Sequence, residues 1–412
     1  MSPAGSKGNK NTPARKKACR QCTKAKARCG HERPRCSRCQ SRNLDCQYTT
    51  STSGCYSSMS PANQTNHDIF HGISTSQFGG QTPQPSRSSV SDRGDGSVTS
   101  PTHQLGSSNL VQTDTRSQLS DRLNLDFSHL DLVSIADSTQ IRNRWLESFF
   151  PSDNQIPKTF LPYTVQFLSC VLASYPKYML RDVCVPPIIH TVQVNTRELP
   201  LALANCYSLV RMWETRAIGS EAIVTSTVQR EMERLIEERE SYGQMELLAA
   251  SQAYLIYGIP LVDSSTIVHL QEFSSRLALG GLISAAELMH TRPSWESWIV
   301  ASAKRRVIFA SYLFNNVFNS TNQVPVYLAE ELGDLPVPGN KLLWEAKDRV
   351  TWEKEYDRHL SLWEDGDLRT FELWRSPETG SPNRRKRIHQ WLRSVDEFGM
   401  MLFATCAHLH GC

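Results

Sequence analysis

No run of about 18 apolar residues occurs in the 412-residue chain, so no bilayer-spanning helix is expected and no membrane partner is called. The opening stretch MSPAGSKGNKNTPARKK lacks the apolar core of a secretory signal, which points to a reducing compartment. In that setting closely spaced cysteines read as metal ligands rather than disulfides. Catalytic signatures are missing too. Residues 119–412 hold no G-x-S-x-G elbow, no phosphate-cradling glycine loop and no convergent nucleophile and base, so an enzyme is not expected. Acids are nearly absent from one end. Residues 1–46 carry thirteen Lys and Arg against Glu32 and Asp45, a balance of +11, whereas the remainder carries 32 basic and 39 acidic residues, or −7. The overall formal charge of +4 hides this basic head on a mildly acidic body, a distribution suited to a polyanionic partner.

Six cysteines stand inside that head. Cys19, Cys22 and Cys29 are spaced C-x2-C-x6-C, and Cys36, Cys39 and Cys46 repeat the spacing without insertion or deletion. A structural zinc takes four soft ligands in a tetrahedron, so two independent sites would need about eight thiolates. Six suffice if two of them each bridge both metals, and the duplicated spacing gives each half an equivalent set. A single four-cysteine site with two spare thiols is the alternative, and it would break the repeat. So short a segment cannot build a hydrophobic core, so metal must supply most of its folding free energy.

The stretch CRQCTKAKARCGHERPRCSRCQSRNLDC resembles the fungal Zn(2)-C6 binuclear zinc cluster DNA-binding domain, matching all six cysteines and the middle-loop proline, Pro34. The resemblance implies two Zn²⁺ held by Cys19, Cys22, Cys29, Cys36, Cys39 and Cys46, with Cys19 and Cys36 as the bridging pair. It also implies two short helices, one following each cysteine pair, the first pointing its start into the major groove to read a CGG-type triplet. Consecutive guanines offer O6 and N7 acceptors there, which suit a lysine ammonium. The family usually has adjacent basic residues three and four places after the second cysteine; this chain has Ala25 and Lys26, so Lys26 takes the base-reading role. Lys24, Arg28, Arg20 and Arg35 are placed as phosphate contacts that set register.

Composition divides the chain into a basic arm and cluster domain (1–48), a linker (49–118) and a helical regulatory domain (119–412). The linker is about one-quarter serine, rich in Thr, Gln, Asn, Gly and Pro, and too poor in apolar residues to offset the entropy of ordering. The last region is expected to be all-α. Val224, Val228, Met232, Leu235 and Ile236 recur at helical spacing, as do Trp391, Val395, Phe398, Leu402 and Cys406. SWESWIVASAKRRVIFASYLFNNVF reads as a long apolar helix capped by Ser294. The segments LPVPGNKLLWEAKDRVTWEKEY and RRKRIHQWLRSVDEFGMMLFA resemble the helical regulatory region of such factors, some of which sit in secondary-metabolite gene clusters. RSQLSDRLNLDFSHLDLVSIAD alternates acids with apolar residues, a composition of activation segments, but the reading favoured here is the first helix of the body. The run Arg384 to Arg387 is either a solvated face or an import signal.

These observations predict a nuclear, sequence-specific regulator, an activator of RNA polymerase II genes by analogy with the family. Its expected partners are double-stranded DNA with G/C-rich promoter elements and transcriptional coactivators. The alternative is a zinc-cluster adaptor or corepressor with no sequence specificity of its own. No heptad repeat follows the cluster, so a homodimer and its half-site spacing are not read from the sequence.

Overall fold

The structure, a computed structural model, describes residues 18–30, 35–44, 46, 125–151, 155–181, 184–195 and 199–410, the side chains of 407–410 excepted. The basic arm and the expected linker lie outside the described residues. The chain forms two units, one within residues 1–67 and one within 68–412. The first holds two short helices, α1 (Arg20–Lys24) and α2 (Ser37–Ser41). The second is helical, with one two-stranded ribbon among the described residues. No helix there is long and apolar enough to cross a membrane.

The body's principal helices are α3 (Ser138–Asn143), α4 (Pro162–Ala173), α5 (Leu201–Glu214), α6 (Glu221–Glu237), α7 (Gln244–Gly258), α8 (Ser264–Leu279), α9 (Trp295–Thr321), α10 (Arg349–Leu362), α11 (Pro382–Leu392) and α12 (Glu397–His410). α9 is the axle of the unit. It contains no glycine or proline, and Ser294 caps its start by accepting from the Ser297 N–H at 3.2 Å. At its end Gln323 turns left-handed (φ 58°), Val324 donates to the Asn319 carbonyl at 2.8 Å, and Pro325 blocks continuation. α9 is buried nearly all round, which a helix tolerates only when other elements cover each face; α4, α7, α8, α10 and α12 do so. α6 is the simpler case, burying Val224, Val228, Met232 and Leu235 along one stripe as the periodicity predicts.

Two expectations are corrected. The acidic–apolar stretch does not open the body as a helix over its described part: residues 125–131 are irregular, and Leu132–Val133 (β1) pairs antiparallel with Ile283–Ser284 (β2). The reason is local. Asp126 and Asp131 donate their backbone N–H groups to Glu296 Oε1 (3.4 Å) and Ser297 Oγ (3.1 Å) at the start of α9 rather than to an internal ladder. Leu125, Phe127, Leu130 and Leu132 pack half-buried against the core. The ribbon needs Gly281 beside it: at φ 83°, a Cβ there would lie 2.6 Å from that of Leu132. The second correction concerns Trp391 to Cys406, which is not one helix. The chain turns at 393–396, where Lys341 donates its N–H to the Ser394 carbonyl (2.8 Å) and Asp396 accepts from the Gly399 N–H (3.1 Å) to start α12.

The run of Arg384 to Arg387 is neither wholly solvated nor wholly free. Arg384 is buried and bonds Ser376 Oγ at 2.6 Å, and Arg387 pairs with Glu372 at 2.8 Å; only Arg385 and Lys386 face solvent.

His190 is fully buried, with Nδ1 accepting from the Val192 N–H at 3.2 Å to cap a single-turn helix at Thr191–Val194. Burial, with Arg306 nearby, pushes its pKa down to about 3. The folded state therefore binds fewer protons here than the unfolded chain, and stability present above the ordinary histidine value of 6.5 is lost as pH falls towards 3. His190→Asn, which keeps a capping acceptor, is expected to remove up to about 1.4 kcal/mol per pH unit of slope between those limits. Denaturant titrations of both proteins across that range check this; unchanged slopes would refute it.

Candidate metal centre and nucleic-acid interface

Both helices of the first unit begin inside a cysteine pair rather than after it. Cys19 is the N-cap of α1 and Cys36 the N-cap of α2, with extended backbone at ψ 157° and 150°. An N-cap position turns its side chain towards the helix's unsatisfied N–H groups, which suits an anionic sulfur. Cys19 Sγ accepts from the Cys22 N–H at 3.4 Å, and the Cys39 backbone N–H draws the Cys36 thiol down to about 6. Burial and neighbouring thiols push Cys22 up to about 11 and Cys39 higher still, so metal loading has to displace protons from them.

The sulfurs converge. Cys19 Sγ lies 3.8 Å from Cys36 Sγ and 3.7 Å from Cys39 Sγ, and Cys22 Sγ lies 3.7 Å from Cys36 Sγ. Two thiolates on one tetrahedral zinc, each with Zn–S about 2.3 Å, are separated by about 3.8 Å. Cys29 completes the set around Cys22, and Cys46 touches Cys19, Cys36 and Cys39. Cys19, Cys22, Cys36 and Cys39 each meet sulfurs of both halves. Six soft sulfur donors in this arrangement fit two zinc ions. Apart from these sulfurs, only Ala18 and Leu44 among the described residues pack against the cluster as apolar residues.

The ends of the two helices match as closely as their starts. Lys26 (φ 48°) and Asn43 (φ 49°) are both left-handed, each four residues after the second cysteine of its pair. Ala27 donates to the Cys22 carbonyl and Leu44 to the Cys39 carbonyl, both at 2.9 Å, and Lys26 and Asn43 close the inner bonds at 3.1 and 3.3 Å. These are two copies of one helix-ending motif, which glycine or asparagine usually completes. Lysine at that point is uncommon and costs of order 1 kcal/mol of backbone strain.

All five residues expected to meet DNA, Arg20, Lys24, Lys26, Arg28 and Arg35, are solvent-exposed. No carboxylate side chain occurs among the described residues of this unit; Glu32 and Asp45 lie outside them. Pro34 lies outside the described residues. One contact escaped the sequence: Arg38 Nη1 lies 3.8 Å from Cys22 Sγ, a charge-assisted hydrogen bond from α2 to a sulfur of the opposite half. Its position inside the second cysteine pair was the available signal, since it lies one residue before Cys39 and must face the cluster or DNA. The other described cysteines belong to the second unit, Cys206 and Cys406 buried, Cys184 half-buried and Cys170 exposed.

Residues 17–55 match the fungal Zn(2)-Cys(6) binuclear cluster domain. Over most of its length the chain is similar to a Penicillium aethiopicum protein described as transcription factor gsfR2, at 20% identity over 380 residues covering 84% of each chain. No solved structure matches the chain. The N-terminal unit is thus a fungal Zn(2)-Cys(6) binuclear cluster domain with two zinc ions as its cofactors, and the chain that carries it resembles DNA-binding fungal transcription regulators rather than enzymes.

Proposed function

We propose that this chain is a nuclear, sequence-specific activator of RNA polymerase II genes that reads CGG-type triplets. The pathway it serves is a secondary-metabolite biosynthesis cluster, and its outputs run through coactivators. Cys19, Cys22, Cys29 and Cys36 hold one zinc, and Cys19, Cys36, Cys39 and Cys46 hold the other. The basic arm and cluster occupy residues 1–48, a tether runs from 49 to 118, and the body begins at 119. The observation that carries the reading is Lys26: an exposed lysine just past the C-terminal end of α1, so that this end rather than the helix start meets the groove, between exposed Lys24 and Arg28 in the unit whose cysteine sulfurs converge. Zinc supplies the rigidity of the module. The protein's own groups do the recognition, with Lys26 donating to guanine O6 and N7 while Arg20, Lys24, Arg28 and Arg35 meet phosphates and fix the register.

Lys26→Asn separates shape from charge, because asparagine adopts the left-handed backbone readily. The variant is expected to fold and load zinc normally, yet to lose about 1–3 kcal/mol of discrimination between a CGG duplex and a scrambled one. Arg28→Ala is expected to weaken both duplexes alike and to lower the salt slope of binding by about 1. Gel-shift titrations at several salt concentrations check both. Selection from a random duplex pool tests triplet, spacing and stoichiometry together. Equal binding of specific and scrambled duplexes by the zinc-loaded wild type would favour the adaptor reading instead.

A further inference from the structure

The cluster sulfurs are not equally supplied with hydrogen-bond donors. In the first half the Cys22 N–H donates to Cys19 Sγ at 3.4 Å and the Cys19 N–H to Cys29 Sγ at 3.5 Å. The second half repeats both bonds, from the Cys39 backbone N–H to Cys36 and from the Cys36 N–H to Cys46 Sγ at 3.3 Å. Backbone donors thus serve Cys19, Cys29, Cys36 and Cys46. Among the described residues none serves Cys22 or Cys39. At Cys22 a side chain fills the gap, since Arg38 Nη1 lies 3.8 Å from its sulfur. The equivalent place in the first half, one residue before the second cysteine of the pair, is Gln21, and no nitrogen donor among the described residues reaches Cys39. A scaffold otherwise duplicated down to its backbone bonds is therefore asymmetric at one sulfur.

Two observations separate Arg38 from the cations assigned to DNA. It is half-buried, whereas Arg20, Lys24, Lys26, Arg28 and Arg35 are exposed. It also reaches across the unit, from α2 to a sulfur of the half that carries α1. Six thiolates on two divalent ions leave an excess of negative charge, which a guanidinium offsets at the sulfur it touches. A donor to a ligating atom orients that ligand and tunes its metal, and loss of such a donor typically costs about 10–100-fold in metal affinity.

We propose that Arg38 is a positioning residue of the metal centre, fixing Cys22 Sγ towards its zinc and offsetting its charge, so that two otherwise matched sites retain metal unequally and the one served by Cys22 is the firmer. The inference rests on the two-zinc reading of the cluster and takes Arg38 out of the set of phosphate contacts.

The test uses the full-length zinc-loaded chain and its Arg38→Met, Arg38→Lys and Gln21→Arg variants, each challenged with a pyridylazo-resorcinol chelator at one fixed pH. The wild type is expected to surrender its zinc in two steps, and Arg38→Met is expected to weaken the tighter step by about 10–100-fold. Arg38→Lys, which keeps the charge, is expected to recover part of that loss. Gln21→Arg gives Cys39 the donor it lacks and is expected to tighten the weaker step. Cadmium NMR of the cadmium-loaded proteins supplies a signature that general loosening would not: Arg38→Met is expected to move one of the two resonances well beyond the other. With zinc in excess, Arg38→Met is expected to leave the salt slope of DNA binding unchanged. Zinc retention by Arg38→Met within about twofold of wild type, or equal movement of both cadmium resonances, would overturn the proposal. So would a salt slope lowered by about 1, which would make Arg38 a phosphate contact. A wild type that holds fewer than two zinc ions would overturn the cluster reading as well.

Discussion

Cys36→Ser is expected to empty both metal sites, unfold the N-terminal unit and reduce binding to the preferred duplex by about a thousandfold or more, to the level of nonspecific association. The magnitude follows from how little else holds that unit together. Its buried cluster among the described residues is five cysteines, with only Ala18, Leu44 and Cys46 packed alongside. A structural zinc contributes about 10–16 kcal/mol of apparent binding free energy in small metal-built domains, and no other term here approaches that. Cys36 meets the sulfurs of Cys19, Cys22, Cys39 and Cys46, so its loss touches both tetrahedra. Cys46→Ser touches one, and about one zinc per chain is expected to remain. Metal analysis of the two purified variants separates them. Chelation of the wild type is expected to reproduce the Cys36 phenotype while leaving the melt of the helical body in place, because that body has its own core. Two zinc ions retained by Cys36→Ser would refute the shared-edge arrangement.

Arg306→Ala is the substitution expected to damage the body most, by about 3–5 kcal/mol. Arg306 is 2% exposed, bonds Asp396 Oδ2 at 2.7 Å and the Pro187 carbonyl at 3.1 Å, and lies 4.0 Å from the centroid of the Trp344 ring. Removing the guanidinium leaves Asp396 charged, buried and unpaired at the start of α12, and also empties the space against Trp344. A domain is stable by about 5–15 kcal/mol in total, so this loss is a large fraction of the whole. Adding Asp396→Asn, which still accepts from the Gly399 N–H, is expected to recover part of the loss because no uncompensated charge remains. Urea denaturation of the full-length proteins measures both. An Arg306→Ala variant within about 1 kcal/mol of wild type would show that the pair is not a tie between α9 and α12.

That same arginine shows where sequence reading stops. α6 was legible because Val224, Val228, Met232 and Leu235 state their own face. α9 was legible in extent and cap but not in surroundings. Lys304, Arg305 and Arg306 are three consecutive cations inside that apolar run, and all three are buried. Lys304 reaches Gln244 Oε1 and the Gly280 and Gly281 carbonyls at 2.7, 2.8 and 3.2 Å, and burial pulls it down to about 7. Arg305 reaches Glu287 at 3.1 Å and Arg306 reaches Asp396. The charged partners of Arg305 and Arg306 lie 18 and 90 residues away, beyond any local periodicity. The acidic–apolar stretch failed for a related reason: β1 forms because β2, some 150 residues later, offers an edge. In the metal centre the cysteine spacing announced sulfurs that the structure brings together, because short-range geometry dictates it, whereas Lys26 was singled out by the family resemblance. Arg38 did not announce its choice between sulfur and phosphate.

The twin helix endings at Lys26 and Asn43 make the cluster a pair of like-shaped fingertips, of which one carries a positive tip and the other an amide. Under the proposed reading, polarity on DNA is then written in side chains rather than in the scaffold: Arg20, Lys24, Lys26 and Arg28 stand where the second half has Ser37, Ser41, Asn43 and Asp45. A second half given the same four cations would make a head able to seat either way round on the duplex and so lose its sense of direction.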